Sequence, residues 1–585
     1  MRQFLKFFFA SVLGTLFGLF LIFFFVGIII AGISAGGGKE KVKPNSVLQI
    51  KLDYDLSERT SKNPFEEMDF SFDTHSRLGL NEVIKNIKAA KADDNIKGIY
   101  LEAAILPSGL ATVEAVRNAL IDFKTSGKFI VAYGEIISQK GYYLASVADE
   151  IYVNPAGYVD FRGFNSEIMF LKGMLDKLEI EAQVMYCGKY KSATEPFRLD
   201  KMSDANREQI SFLINDVYSN FIKKISQARN LSETLVDSIA DHMLVRDVED
   251  AVKYNMVNGV AYYDEVIAKL KSKTGTGDKD KLNRISIEKY NKEEEDEKEG
   301  KKDRIAVLYA EGNIVDGKGE DGEIASEDFS KAIREIREDD KVKALVLRVN
   351  SPGGSALASD VILREIELAK QKMPVIVSMG DVAASGGYYI SCKADTILAE
   401  PNTITGSIGV FGLLPNMQGF FNNKLGITFD GVKTGNYSDL GNTARPLTAE
   451  EKSIIQTGID SIYMDFKEHV AGGRGKTVEY IDSIAQGRVW TGTQALANGL
   501  VDAIGNLNDA IDIAAKKAGI TDFAIKEYPK QKDTFEKIFE GFGSGAESYF
   551  MKKKLGPHYA TWQKLEEFKN LNGIQAKMPF ELEIY

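Results

Sequence analysis

The chain is short of the residues on which many hydrolases and disulfide frameworks depend. Its 585 residues include four histidines, which are His75, His242, His469 and His558. Each lies in polar or amphipathic sequence without a small-residue turn nearby, so a Ser/His/Asp arrangement has little support. The two cysteines, Cys187 and Cys392, cannot form a disulfide framework, and we interpret both as small buried hydrophobes.

Positive charge is also in deficit. The chain has 73 Lys and Arg against 84 Asp and Glu, which gives a net charge of −11. This balance argues against nucleic acid as a partner. At 64.7 kDa the chain is too long for a single core, so at least two domains are expected.

One long stretch has no charged residue at all. It runs from Phe7 to Ile33, 27 residues, whereas about 20 suffice to cross a bilayer. A cleavable signal has an apolar core of only about 7–15 residues. We therefore predict an uncleaved transmembrane anchor, despite the small residues at 34–36. The charges on either side of it do not settle its orientation.

Two parts of the chain resemble each other at a constant offset of 246 residues. Residues 93–101 parallel residues 339–347, and Gly141-Tyr142-Tyr143 parallels Gly387-Tyr388-Tyr389. A tandem duplication accounts for this pattern. The strand-helix rhythm within each copy predicts α/β layers.

Repeat and composition together predict six segments. They are a short N-terminus at 1–6, an anchor at 7–33, an N-terminal repeat at 46–270, a charged linker at 271–303, a C-terminal repeat at 304–530 and a tail at 531–585. The linker contains the acidic run Glu293–Glu299, typical of a solvated connection. For the helical, aromatic tail stretch Thr534–Lys569, packing or assembly is the default interpretation.

A candidate nucleophile, Ser385, lies where a β-branched run ends in a small-residue turn before helix-compatible sequence. Backbone N–H groups at a helix start can stabilise an oxyanion. An N-cap serine beside a glycine turn is the simpler alternative. A second turn, Pro352-Gly353-Gly354, follows the strand at 344–349 and can offer another glycine N–H.

The two copies divide these residues between them. Ser385 corresponds to Gln139, and its neighbour Gly386 corresponds to Lys140. The first copy therefore has neither the nucleophile nor the glycine. Its counterpart of the Pro-Gly-Gly turn is Leu106-Pro107-Ser108, which lacks the glycine pair.

The second copy, in turn, lacks a lysine that the first copy has. With histidine poorly placed, the remaining base for a serine is a lysine that burial keeps neutral. Gly188–Lys191 aligns with Gly435–Ser438 after a one-residue shift, so the second copy has Ser438 where the first has Lys191. Each repeat thus carries half a site. Lys189 is the alternative base.

Four motifs, in this order and spacing, resemble one family. They are Tyr190–Phe197, Asn350–Gly354, Met379–Tyr389 and Thr405–Val410. They look like signal peptide peptidase A, also called protease IV, a Ser-Lys peptidase family, in its long two-repeat form. The resemblance covers about residues 46–530.

The resemblance implies a role for each matched residue. Ser385 would be the nucleophile and Lys191 the general base. Gly354 and Gly386 would supply the oxyanion N–H groups, and the Ser407 hydroxyl would steady the lysine amine. No metal or cofactor is implied. Whether the dyad forms within one chain or between two is left open.

The implied fold is a tandem duplication of a crotonase- or caseinolytic-protease-like superhelical α/β domain, preceded by one transmembrane helix. The implied function is a membrane-anchored serine endopeptidase that degrades remnant signal peptides through an acyl-enzyme. It would be a single-pass protein of the bacterial inner membrane, with its catalytic region in the periplasm, and a homo-oligomeric ring such as a tetramer.

Two alternatives belong to other classes. An acyl-CoA hydratase or isomerase of the crotonase superfamily would need catalytic carboxylates near the glycine turns and would have no use for Lys191. A non-catalytic membrane scaffold would keep the motifs without turnover.

Overall fold

The computed structural model describes residues 2–36, 42–61, 77–290, 303–320, 322–531, 554 and 573–578. Helix α1 covers Arg2–Gly36, with side chains described as far as Leu21. Among the residues described in full, no helix combines the length and apolarity needed to span a membrane. The acidic run Glu293–Glu299 and, apart from Lys554, the stretch Thr534–Lys569 lie outside the described residues.

The N-terminal repeat is built on a parallel sheet. Its strands are β1 (Ser46–Lys51), β2 (Ile96–Glu102), β3 (Phe129–Ile137), β4 (Glu150–Val159), β5 (Glu181–Tyr186), β6 (Gly259–Val260) and β7 (Arg284–Ser286). All but β5 join in the order β6-β4-β3-β2-β1-β7. The strand segment Ile99-Tyr100-Leu101 is almost entirely buried, as expected where both faces of a parallel sheet are covered.

Helices alternate with these strands along the chain. They are α2 (Leu80–Ala92), α3 (Leu110–Lys124), α4 (Gln139–Ala145), α5 (Lys172–Leu178), α6 (Glu195–Arg198), α7 (Asp204–Arg229), α8 (Glu233–Asp241), α9 (Val248–Lys253) and α10 (Tyr263–Thr274). A 3₁₀ turn at Ser192–Thr194 precedes α6. The long helix α7 begins with Ser203 accepting a hydrogen bond from Asn206 N and ends at the left-handed Asn230, a strong start and stop.

The C-terminal repeat contains a sheet of the same design. The strands that follow in the chain are β8 (Asp303–Glu311), β9 (Asn313–Val315), β10 (Glu323–Ala325), β11 (Val342–Ser351), β12 (Gly353–Ser355), β13 (Val375–Ala384), β14 (Thr396–Ala399), β15 (Ile404–Gly406), β16 (Phe411–Asn416), β17 (Val489–Thr491), β18 (Ala503–Ile504), β19 (Phe523–Tyr528) and β20 (Ile574–Lys577). Within its sheet, the order β18-β14-β13-β11-β8-β19 repeats that of the first sheet.

Strand β7, the counterpart of β19, lies within the segment 271–303 that the sequence predicts to be a linker. Strand β7 pairs in parallel with β1, with Val47 opposite Arg284. Residues 284–286 therefore complete the first sheet, although the sequence places them in a linker at 271–303. A run of three residues carries no periodicity, so its partner strand rather than its own pattern fixes it.

The helices of the C-terminal repeat lie on both sides of its sheet. They are α11 (Ser326–Glu338), α12 (Ala356–Lys370), α13 (Gly386–Ser391), α14 (Ala449–Arg474), α15 (Val478–Ile484), α16 (Gly492–Ala497) and α17 (Leu507–Ala518). A π-helical turn covers Phe420–Leu425. The separate apolar cores of the two repeats confirm the duplicated α/β organisation.

A third sheet joins the two repeats, in the order β10-β9-β12-β20-β16-β5. Strand β5 leaves the N-terminal repeat and pairs antiparallel with β16, from Tyr186 opposite Phe411 to Glu181 opposite Asn416. Strand β20, from the predicted tail, lies between β12 and β16. This sheet carries residues of both repeats to one place.

Buried polar contacts also hold the repeats together. The Asp381 carboxylate of the C-terminal repeat accepts hydrogen bonds from N and Oγ1 of Thr112, in the first turn of α3. It thus acts as an N-cap supplied by the other repeat. Arg348 donates to Glu58 at 2.9 Å, and both side chains are less than 5% exposed. These contacts fix the docking of one repeat on the other.

Candidate active site

Ser385 occupies a strained turn between β13 and α13. Its φ of +55° and ψ of −112° are rarely adopted by a residue with a side chain. Hydrogen bonds on both sides hold it there. Ser385 N donates to Gly406 O at 2.8 Å, and Tyr389 N donates to Ser385 O at 2.8 Å. The turn therefore fixes the direction of the Ser385 hydroxyl.

The structure brings Lys191 to this hydroxyl within one chain. Lys191 Nζ lies 2.8 Å from Ser385 Oγ, 3.1 Å from Ser407 Oγ and 3.2 Å from Ser407 O. Lys191 is 1% exposed, and no ion pair among the described residues involves it. Burial lowers the pKa of its ammonium group well below the ordinary value. A neutral amine can accept a proton from the serine.

Strand β5 explains how a lysine of the first repeat reaches a serine of the second. After its pairing with β16, Cys187 N donates to Val410 O at 2.9 Å, which extends the contact. The chain then turns at Gly188, whose φ is +99°. Lys191, three residues after Gly188, lies beside Ser407.

Two glycines that sequence reasoning did not single out shape the lysine pocket. A Cβ on Gly487 would lie 2.6 Å from Lys191 Cβ, and one on Gly409 would lie 3.2 Å from Lys191 Cδ. Tyr190 N donates to Gln486 O at 2.7 Å and fixes the loop against this turn. Gly409 belongs to a motif recognised from sequence, whereas nothing in the sequence around Gly487 indicates a neighbour almost 300 residues away.

The glutamate of the lysine motif has a structural position. Glu195 accepts hydrogen bonds from Ser203 Oγ at 2.6 Å and from Asn206 Nδ2 at 2.9 Å. Gln209 Nε2 donates to Tyr190 O at 3.0 Å. These contacts tie the lysine loop to the start of α7.

The two glycine turns meet beside the serine. Gly353 and Gly354 have φ of +95° and +157°, and a Cβ on Gly353 would lie 2.6 Å from Gly386 N. A side chain would not fit at this junction. The predicted oxyanion donors, Gly354 and Gly386, therefore belong to adjacent turns.

Other candidates lie elsewhere. Lys189 is exposed, with Nζ 5.0 Å from the centre of the Tyr190 ring. His469 Nε2 lies 3.4 Å from Asp360, and His242 is exposed beside Asp241. The remaining two histidines, His75 and His558, lie outside the described residues.

The two cysteines differ in burial. Cys392 is buried, as predicted, and neither cysteine forms a disulfide. Cys187 is only partly buried, and its Sγ donates to Asp460 Oδ1 at 2.9 Å. The interpretation of both as buried hydrophobes therefore holds for Cys392 alone, because Cys187 follows the end of β5, where Tyr186 is exposed.

The corresponding turn of the N-terminal repeat is filled by side chains. Gln139 Oε1 accepts from Gly163 N at 2.9 Å, and its Nε2 donates to Gly163 O at 2.9 Å. Lys140 Nζ donates to Pro107 O at 3.1 Å and to Ser108 O at 2.9 Å. The carbonyl oxygens of Pro107 and Ser108 and both backbone groups of Gly163 are therefore already hydrogen-bonded.

Comparison with known proteins agrees with this division. The model of peptidase family S49 matches the chain twice, at residues 122–276 and 367–521. The chain is 34% identical to "Serine protease SPPA, chloroplastic" of Arabidopsis thaliana, over 92% of this chain and 78% of that protein. It is 36% identical to "Protease 4" of Haemophilus influenzae, over 77% of this chain and 76% of that protein.

Likeness to solved structures is weak by comparison. A ClpP1 variant from Listeria monocytogenes is 18% identical, with a TM-score of 0.24, over 35% of this chain and 94% of that one. The sequence similarity to the two proteases, in contrast, extends over most of the chain. It favours a peptidase over a hydratase, an isomerase or a non-catalytic scaffold. The chain belongs to peptidase family S49 and is a serine peptidase.

Proposed function

We propose that the protein hydrolyses peptides with a Ser385–Lys191 dyad. The observation that carries the proposal is the 2.8 Å contact between the buried groups Lys191 Nζ and Ser385 Oγ. Neutral Lys191 accepts the serine proton as Oγ attacks the scissile carbonyl. The Gly354 and Gly386 N–H groups stabilise the oxyanion, and Lys191 then protonates the leaving amine.

Deacylation uses the same groups in reverse. Lys191 accepts a proton from water as the water attacks the ester carbon, and it returns that proton to Ser385 Oγ as the ester bond breaks. The Ser407 hydroxyl, 3.1 Å from Nζ, keeps the amine directed at the serine in both steps. No metal or cofactor takes part. The crotonase- or caseinolytic-protease-like form of each repeat remains a prediction.

We place the enzyme at a membrane, where its substrates would be remnant signal peptides. Residues 7–33 would form a single span, with residues 1–6 cytoplasmic and the catalytic region in the periplasm of a bacterium. The uncharged sequence and the exposed aromatic side chains of α1, such as Phe7 at 75%, support this. Recovery of Met1 at the N-terminus of membrane-bound protein would agree, whereas a start near Gly36 would not.

Internal symmetry supports a homo-oligomeric ring. With the offset of 246, the counterpart of β5 in the C-terminal repeat is residues 427–432. The counterpart of β16 in the N-terminal repeat is residues 165–170. Neither of these two segments forms a strand. Phe429 and Val432 are 60% and 101% exposed. Pairing of 427–432 with 165–170 of the next copy would repeat the β5–β16 contact and satisfy both segments. Light scattering on the full chain should show an oligomer that Phe429→Asp dissociates, and a monomeric wild type would exclude it.

The decisive experiment compares wild type with Lys191→Ala, Ser385→Ala and their mixture in peptide hydrolysis. Both single variants should be inactive. Because Lys191 and Ser385 lie together in one chain, the mixture should stay inactive. A serine-directed fluorophosphonate should label only Ser385. Activity in Lys191→Ala would place the base elsewhere.

A further inference from the structure

The turn at residues 486–488 is hydrogen-bonded to both sides of the lysine pocket. Gln486 O accepts from Tyr190 N at 2.7 Å, in the loop that carries the proposed base. Two residues later, Arg488 O accepts from Ser407 N at 2.7 Å. A displacement of this turn would therefore move the lysine loop and the Ser407 hydroxyl together.

The Arg488 side chain holds the turn by stacking on three aromatic rings. Its Cζ atom lies 4.9 Å from the centre of the Tyr190 ring, 5.2 Å from that of Phe212 and 4.7 Å from that of Trp490. A guanidinium group stacks on aromatic faces and is attracted to their negative charge. Tyr190 and Phe212 belong to the N-terminal repeat, so their rings hold a cation of the C-terminal repeat.

Few polar contacts compete with the rings for this cation. Arg488 Nη1 lies 3.6 Å from Glu208 Oε1, and the Tyr190 hydroxyl donates to the same oxygen at 3.2 Å. Arg488 Nε is buried and has no hydrogen-bond partner among the described residues. Lys189 Nζ lies 5.0 Å from the centre of the same Tyr190 ring, but Lys189 is exposed. The rings, rather than hydrogen bonds, therefore fix the position of the guanidinium group.

The burial of Lys191 depends on the same turn. Lys191 is 1% exposed, and a Cβ on Gly487 would lie 2.6 Å from Lys191 Cβ, so the turn covers the lysine stem. Burial lowers the pKa of Lys191 well below its ordinary value. Water admitted beside a displaced turn would return this pKa toward the ordinary value. A smaller fraction of the lysine would then be neutral at a given pH.

We propose that Arg488 is a positioning residue of the peptidase, which closes the Lys191 pocket by stacking on aromatic rings of both repeats. The proposal rests on the dyad mechanism proposed above. Arg488 acts through Tyr190 and Ser407 rather than on the reacting atoms. Its loss should lower kcat and leave KM nearly unchanged, because the substrate contacts remain.

Peptide hydrolysis over a range of pH tests the proposal. Arg488→Ala should lower kcat at neutral pH at least about tenfold, because a small misplacement of a catalytic group is costly. The acid limb of its kcat/KM profile should move to higher pH, since water reaches the lysine. An unchanged kcat would overturn the proposal. An equal loss at every pH, with the acid limb in place, would indicate a merely structural role and would also overturn it.

Two further variants keep the test decisive if Arg488→Ala folds poorly. Arg488→Lys keeps the charge but not the planar stack, so both its kcat and its acid limb should lie between those of Arg488→Ala and wild type. Lys189→Ala removes the exposed cation of the same ring and should match wild type in both measurements. Equal results for Arg488→Lys and Lys189→Ala would overturn the need for a buried planar cation.

Added guanidinium ion provides a rescue experiment. At concentrations far below those that unfold proteins, it should raise kcat of Arg488→Ala at least about threefold, because it can enter the space between the three rings. The same concentration of ammonium ion should have a smaller effect, since ammonium is not planar. Equal rescue by the two ions, or none by either, would overturn the stacking role.

The dyad variants separate this inference from the proposed function. If Lys191→Ala and Ser385→Ala are inactive while Arg488→Ala keeps the wild-type kcat and pH profile, the positioning role is overturned and the dyad stands. If either dyad variant keeps its activity, the dyad mechanism fails and the positioning role fails with it.

Discussion

The same strand-to-helix turn occurs in both repeats, with Ser385 at its tip in one and Gln139 in the other. In the C-terminal repeat the next residue is Gly386, beside a glycine turn that leaves room for a substrate carbonyl. In the N-terminal repeat the next residue is Lys140, whose ammonium group bonds to the carbonyls of the equivalent turn. One turn is lined by glycines, and the other is filled by its own side chains.

The two turns differ in whether side chains form hydrogen bonds with the nearby backbone N–H and C=O groups. Buried backbone groups need partners, and leaving one without a partner costs about 1–3 kcal/mol. Gln139 supplies partners to both N and O of Gly163. Gly163 is the counterpart of Gly409, whose carbonyl oxygen lies 3.5 Å from Ser385 Oγ. A turn without such side chains can present its N–H groups to a substrate instead.

The largest difference in activity should come from substituting Ser385 and Gln139, which occupy equivalent positions in the two turns. Ser385→Ala should lower kcat on the order of 10⁴- to 10⁶-fold, because no nucleophile remains. Gln139→Ala should leave kcat unchanged and lower the free energy of unfolding by about 1–3 kcal/mol, since Gly163 loses its partners. Peptide hydrolysis and thermal unfolding measure the two effects. Loss of activity in Gln139→Ala would mean that the first turn takes part in catalysis.

The two lysines should differ nearly as much. Lys191→Met should lower kcat by about 10²- to 10⁴-fold, because the proton acceptor is lost. Lys140→Met should leave hydrolysis unchanged, since Lys140 contacts backbone oxygens of the other turn. Steady-state kinetics of both variants provide the measurement, and equal losses would contradict the division of the site between repeats.

Lys191 should also set the pH dependence. Burial lowers its folded-state pKa below the unfolded value, so between the two values the unfolded chain binds more protons and stability rises with pH. Activity should decline as pH falls through the lowered pKa, about tenfold per unit below it, because the charged amine accepts no proton. A kcat/KM profile should show activity well below pH 10, and the excess of the Lys191→Met unfolding midpoint over that of wild type should grow as pH falls.

The smallest contrast concerns helix caps. Helix α3 is capped by Asp381 from the other repeat, whereas α12 is capped by Ser355, its own preceding residue. Asp381→Ala and Ser355→Ala should each lower the free energy of unfolding by about 0.5–2 kcal/mol. Only Asp381→Ala should weaken the docking of the repeats, seen as faster proteolysis between residues 290 and 303. Identical digestion of the two variants would contradict this.

The motifs on short loops were predictable because small residues and strand ends leave a clear local signal. The duplication and the peptidase family were readable in this way, and the structure brings Lys191, Ser385 and Ser407 together. Their chemical roles stay predictions, as do the six segment boundaries. Strand β7 and the glycine at 487 were not predictable, because their positions depend on partners far away in the chain.

Strand β20 was the least predictable element. Its four residues, Ile-Gln-Ala-Lys, follow a long stretch that the sequence assigns to a tail, and they carry no sustained alternation. Their partners, β12 and β16, lie more than 150 residues earlier in the chain. Their strand conformation depends on pairing with β12 and β16 in the third sheet.

The crossing of β5 into the third sheet has a consequence for biosynthesis. A ribosome releases the lysine long before it releases the serine, and the pocket that lowers the pKa of Lys191 includes Gly409 and Gly487 from the later part. A truncated translation product, or a half separated by clipping, therefore has no assembled dyad. On the proposed dyad mechanism, activity would arise only when both halves of one chain have folded and docked, and fragments would be inactive.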